Sequence, residues 1–205
     1  MNIMNQSSLL RLSTKPRSSS ARRWSLSRRW ALGIVLSSVS LAAVAQAGLV
    51  GIGKAKVSFL AQGPAGLKIE GKGGDVSTSE AGGKIKIAVG LTKLSTGIDM
   101  RDSHLKKALN VKAHPKAVLL VSRGDLKFPQ NDKSIEASTT GKLTLNGKTR
   151  DTKFSYKVTR TGSDYHVQGR VKIDITKFKM EIPCYLGVCV NKDVKVKVKF
   201  KVRDK

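Results

Sequence analysis

Tryptophan disappears from this 205-residue chain after Trp30, and the whole sequence holds only five Phe and three Tyr. A chain this poor in aromatics has little material for the aromatic girdles of an outer-membrane barrel or for the platforms on which single-stranded nucleic acid stacks. Long apolar runs are missing too. The stretch 31–45 is about 15 residues long and rich in Ser and Ala, short of the roughly 20 that a membrane-spanning helix needs. Histidine occurs three times, at His104, His114 and His166, far apart in sequence. No nucleophile elbow, phosphate-cradling glycine loop or zinc-ligand spacing accompanies them, so the chain reads as a non-enzyme with no catalytic residues and no metal site. Cysteine occurs twice, at Cys184 and Cys189, and the spacing is not the C-x-x-C of a thioredoxin-like redox motif.

Acid is what residues 1–47 lack: they carry seven Lys and Arg and no Asp or Glu. Arg28-Arg29 is followed by the apolar stretch 31–45 and then by Ala45-Gln46-Ala47. A basic region, a short apolar run and an A-x-A site make a removable signal peptide, with an uncleaved anchor as the alternative. Ser27-Arg28-Arg29 before Leu32 resembles a twin-arginine signal, although Ala31 and Gly33 stand where that pattern has Phe and Lys. The general and twin-arginine routes both stay open, and either leads to the periplasm. Cleavage after Ala47 leaves 158 residues, enough for one domain with a real core. That domain, residues 48–205, keeps all 14 acidic residues against 32 Lys and Arg, a net charge of about +18. Such a charge suits anionic partners, a membrane surface or polysaccharide first; the charge also fits nucleic acid, but export and the missing aromatics exclude it. In an oxidising compartment Cys184 and Cys189 form a disulfide across a short loop, two buried thiols being the alternative.

What the domain does have is alternation. Val194, Val196, Val198, Phe200 and Val202 fall on one face of the last stretch, and Lys195, Lys197, Lys199 and Lys201 on the other. Strict period-2 patterning with β-branched residues predicts a strand with one face in water. Seven further strands are predicted at 54–61, 66–79, 84–91, 117–128, 134–145, 148–160 and 164–175. Asn146-Gly147 makes the strongest hairpin turn. One helix is predicted at 100–109, after the third strand, with Asp99 as its N-cap and Lys106-Lys107 near its C-terminal end. Eight alternating strands suit a soluble barrel, an outer-membrane barrel or a sandwich. Turning the lysine-rich faces into one small lumen would pack like charges together, so the soluble antiparallel barrel with its apolar face inward is preferred. Ala137, Thr139, Gly141 and Gly169 are small inward residues and favour a cavity over a lumen filled with side chains.

Thr96-Gly97, then Arg101-Asp102-Ser103-His104-Leu105, then His114-Pro115 resemble the YceI family of polyisoprenoid-binding, lipocalin-like periplasmic proteins, whose pattern is TG…RDxHL…yP. Residues 141–149, from Gly141 through Leu143, Thr144 and Gly147 to Thr149, resemble its G-x-L-T-I-x-G-x-T segment, and 66–71 its second-strand glycine region. The resemblance spans essentially 54–202. Departures occur: Leu109-Asn110-Val111 replaces a Phe-Phe-Asp, and Lys177-Phe178-Lys179 replaces an Asp-Phe-Gly. A first-strand His often seen in the family is absent near Val57-Ser58-Phe59, and the Cys184 and Cys189 pair is not a general family feature.

The resemblance implies an eight-stranded lipocalin-like barrel holding a long isoprenoid or other amphiphile, such as a quinone, polyprenyl or fatty compound, for transport or storage. No cofactor is implied beyond such a bound lipid. Candidate lumen residues are Phe154, Tyr156, Val171, Ile173, Val196, Val198 and Phe200, with Leu105 of the helix lining or plugging one end. Arg101 and His104 are candidates for head-group contact. The structural alternative is that Arg101 and Asp102 pin the helix to the barrel. A second function class stays open, in which the barrel is filled and the lysine-rich exterior binds anionic lipid or polysaccharide. A homodimer is compatible with either.

Overall fold

The computed structural model describes residues 48–185 and 187–205; the predicted signal peptide, with Trp24 and Trp30, lies outside them. The strands in chain order are β1 (Leu49–Gln62), β2 (Lys68–Lys72), β3 (Val76–Ala81), β4 (Lys84–Gly90), β5 (Lys116–Ser122), β6 (Ser134–Leu145), β7 (Lys148–Thr161), β8 (Asp164–Asp174), the short pair β9 (Cys184–Tyr185) and β10 (Val188–Cys189), and β11 (Asp193–Asp204). Helix α1 (Asp99–Ala108) stands between β4 and β5.

The lysine–valine strand closes the molecule. β11 pairs antiparallel with β8, Val196 opposite Val171, and with β1, Val196 opposite Phe59. Around the ring the order runs β11, β8, β7, β6, β5, β4, β3 and β1, back to β11. β2 pairs with β1 next to β3, so β2 and β3 together are one interrupted stave of an eight-stave antiparallel barrel. Closure removes the free edges that alternating valines would otherwise offer to another chain.

Four element boundaries differ from the sequence reading, each for a local reason. The first strand begins at Leu49 rather than Lys54, because Leu49 N–H reaches Glu80 Oε2 at 2.9 Å across the sheet. Its pairing with β11 slips between Ile52 and Lys56, where Gly53 takes φ +65°, a bulge that hides the period. The expected strand 66–79 breaks at Gly73 and Gly74, and a Cβ on Gly73 would sit 2.2 Å from the Lys93 carbonyl oxygen. The expected strand 117–128 stops at Ser122, where Arg123–Asp125 makes a single 3-10 turn. In α1, Ile98 is the N-cap and Asp99 the first helical residue, with no side-chain cap bond from either position.

Two buried clusters line the inside of the barrel, one toward each end. One gathers Leu91, Leu94, Leu109, Leu143, Ile173, Ile175 and Phe178 beneath α1. The other gathers Leu49, Ile85, Val121, Val158, Tyr165 and Val202 at the far end. Asn146 (φ +46°) and Gly147 (φ +68°) form the expected hairpin turn, both in the left-handed region that a type I′ turn requires.

Candidate functional site

Between the two clusters lies a cavity of about 790 Å³, within the range of small-molecule sites. Its wall is built from the inward face of every stave, and Val, Ile, Leu and Phe dominate it. Phe154, Tyr156, Val171, Ile173, Val196, Val198 and Phe200 all lie on this wall, as does Leu105 of α1. Of the four small inward residues, only Gly169 borders the cavity. A Cβ at Gly169 would meet nothing within 4 Å, whereas one at Gly141 would press on Leu119 Cδ1 at 2.9 Å and the Leu120 carbonyl oxygen at 3.0 Å. Gly141 therefore serves the close approach of β5 to β6, and Gly169, between Tyr156 of β7 and Val198 of β11, leaves open volume.

The far end is shut by a segment that alternation assigned to a strand. After the 3-10 turn, Leu126 and Phe128 turn onto the cavity wall. Lys127 N–H donates to Tyr156 Oη at 2.7 Å, satisfying the one polar atom that Tyr156 brings inside. Phe128 meets Tyr165 edge-on at 5.6 Å and lies under the Arg123 guanidinium at 4.8 Å. Arg123 in turn donates to Glu80 Oε2 at 2.6 Å and Asp204 Oδ1 at 3.3 Å. Burial works against its charge, but these two carboxylates outweigh it and raise its pKa.

The other end is open. Four of its residues border the cavity and are also exposed to solvent: Leu67, Ile98, Met100 and Val188. Helix positions 101, 104, 105 and 108 share a face, so Arg101, His104, Leu105 and Ala108 line this mouth together. The side chain of His104 is exposed and that of Arg101 half-buried.

What holds the helix there is Asp102. Its carboxylate accepts from Ser95 Oγ at 2.5 Å and from Thr96 N–H and Thr96 Oγ1 at 2.6 Å each. Those bonds, Ser95 first and then Thr96, pull its pKa down to about 2. Arg101 Nε donates to the same Thr96 hydroxyl at 3.0 Å. Arg101 and Asp102 thus clasp residues 95–96 rather than each other, which is the pinning arrangement, and Arg101 still faces the cavity.

Cys184 and Cys189 are joined in a disulfide that closes the β9–β10 ribbon, and Cys184, Pro183 and Val188 form another side of the mouth. His114 stands against Gly147, at the hairpin turn, and His166 on β8 opposite Lys201. Among the described residues no cluster of His, Cys, Asp or Glu has the makings of a metal site.

Pattern reading missed the contributions of Leu126 and Phe128, and of Leu94 and Met180 from the connections. Their only signal was large apolar residues inside stretches otherwise read as turns or strand ends.

The YceI-like domain family matches residues 53–202. No curated protein matches the chain in sequence. Among solved structures, a polyisoprenoid binding domain from Saccharophagus degradans, implicated in plant cell wall breakdown, superposes with TM-score 0.64 at 13% identity, over 78% of this chain and 99% of that one. BcnA of Burkholderia cenocepacia superposes with TM-score 0.56 at 16% identity, over 72% and 95%. At those identities the likeness speaks for the barrel, and the match over 53–202 speaks for descent: this chain belongs to the YceI-like family.

Proposed function

We propose that this protein is a lipid-binding carrier that holds a long-chain isoprenoid or other amphiphile, a quinone, polyprenyl or fatty compound, in its barrel for transport or storage in the periplasm. The observation that carries the reading is the apolar cavity of about 790 Å³, closed at one end and open at the other beside Arg101 and His104. Each CH₂ moved from water onto such a wall gains about 0.8 kcal/mol, so a chain of modest length is held without any directional contact. The polar head then sits at the mouth, where Arg101 and His104 offer a cation and a hydrogen-bonding ring. A relative of the same fold is described as a polyisoprenoid binding domain, which supports this ligand class. The A-x-A leader supports export, and the disulfide suits an oxidising compartment.

The test is native mass spectrometry of the purified protein, with organic extraction of whatever it carries. A stoichiometric lipid that survives high salt supports the reading, and its loss in Val198→Asp, which puts a charge on the wall, places it in the lumen. An empty protein that also fails to take up isoprenoid quinones and fatty amphiphiles overturns it.

One observation favours a second activity. Across β1, β11 and β8, like charges stand directly opposite: Lys199 with Lys56, Lys197 with Arg170, and Lys195 with Lys172. Opposed cations are mutually repulsive, and a bound anion relieves them. On this reading the exterior binds anionic lipid or polysaccharide, and that binding fades in moderate salt.

A further inference from the structure

Among the described residues five large apolar side chains are exposed: Leu67, Ile98, Met100, Ile182 and Val188. They come from three separate parts of the chain and all stand at the helix end of the barrel. Four border the cavity mouth, and Ile182 lies beside Pro183, which borders it too. Single exposed apolar residues need no explanation, but five gathered round one opening do.

The wall behind one side of this rim is basic. The pairing register places Lys68 beside Gln62 and Lys72 beside Ser58 on β1, with Lys195 and Lys197 on the adjoining β11 and Arg170 and Lys172 beyond them on β8. Against these six cations stand Glu70, between Lys68 and Lys72, Asp193, which pairs with Lys172 at 2.9 Å, and Asp174, opposite Asp193 and paired with a further cation, Lys192, at 2.7 Å. On the rim itself Asp99 lies between Ile98 and Met100, and Glu181 precedes Ile182; Arg101 and His104 follow Asp99 on the same helix and also border the mouth.

We infer that the mouth docks on an anionic lipid bilayer, with the apolar rim entering the interface and the β2–β1–β11–β8 wall held against the head groups. The inference rests on the lumen reading: a ligand with a long hydrocarbon chain resides in membranes, and a rim pressed into the bilayer lets the chain pass from lipid to lumen without crossing water. Each half of the surface excludes a rival occupant. A soluble anionic polymer uses the lysines and leaves the apolar rim in water. A second copy of this chain brings like charge against like charge. An anionic bilayer satisfies both, since buried apolar area and attraction to anionic lipid add in interfacial binding.

The experiment is flotation of the purified protein with phosphatidylcholine vesicles, with and without phosphatidylglycerol, run beside vesicle-free uptake of an isoprenoid quinone. The wild type floats with the phosphatidylglycerol vesicles and stays behind with phosphatidylcholine alone. Ile182→Ser, exposed on the rim but not part of the cavity wall, lowers vesicle binding about tenfold and leaves quinone uptake unchanged. Lys195→Glu with Lys197→Glu abolishes the preference for phosphatidylglycerol. Val198→Asp loses quinone but still floats, which separates this inference from the lumen reading. Flotation of the rim variant at wild-type level overturns the inference, as does absence of wild-type flotation, or a wild-type dimer that the rim variant breaks.

Discussion

Lys179 occupies a backbone position that suits glycine. It takes φ +55° as the C-cap of the 3-10 turn Ile175–Phe178, at the place where the family pattern has Gly. A left-handed conformation costs a non-glycine residue about 1 kcal/mol or more. Lys179→Gly is therefore expected to raise stability by about 1 kcal/mol, seen as a higher urea midpoint at unchanged slope. Asp102 makes a prediction about pH. Its folded pKa of about 2 lies below the ordinary 3.8, so its bonds stabilise the fold fully above about pH 4 and are lost as pH falls through 2. Asp102→Asn should melt below the wild type at neutral pH, and the gap should close between pH 4 and 2. A gap that persists at pH 2 would mean the carboxylate's charge is irrelevant to holding α1.

At the scale of elements, the barrel's far end depends on a polar clasp. Arg123 links Glu80 of β3 to Asp204 of β11, and Glu80 also accepts from Leu49 N–H at the start of β1. The Glu80 side chain is 3% exposed, and its Oε1 has no partner. Removing Arg123 therefore leaves a buried carboxylate unpaired, which costs about 3 kcal/mol. Arg123→Met should show that loss in chemical denaturation, while Arg123→Met with Glu80→Met should recover much of it. The exposed pairs along the staves, such as Lys142 with Asp151 and Lys157 with Glu136, are worth little individually. Their charge-reversal swaps should leave the midpoint nearly unmoved.

For the whole molecule, the cavity and the fold make separable demands. Gly169 borders open volume, so Gly169→Leu fills lumen without displacing a neighbour. Stability should hold or rise, since glycine weakens a strand interior, while uptake of an isoprenoid quinone falls. Reduced uptake with an unchanged melting temperature is the expected pair of readings. Uptake at wild-type level would place the ligand outside the lumen. The net charge of about +18 on residues 48–205 should appear as salt-sensitive binding to anionic surfaces, and the lumen should be indifferent to salt.

Strand alternation was local information, and it determined most of the barrel. The face carrying Val194, Val196 and Val198 points inward because period 2 allows no other choice once the lysines must be in water. The seven strand residues named as lumen candidates lie on the inward faces of their strands, and they and Leu105, named from the family resemblance, all border the cavity. The disulfide was legible from two cysteines and the expectation of an oxidising compartment. What the sequence could not determine was anything that depends on closure. That Gly141 is packed while Gly169 is open follows from which neighbouring stave crosses close by, a distance no single strand encodes. Leu126 and Phe128 seal one end because a 3-10 turn reverses their direction after Ser122. Leu67 in an expected strand, Met100 in the expected helix, and Ile98, Ile182 and Val188 in connections read as unrelated until the barrel brings three parts of the chain to one mouth. Local pattern decided which side of each strand is dry; tertiary structure alone decided where the dry interior opens.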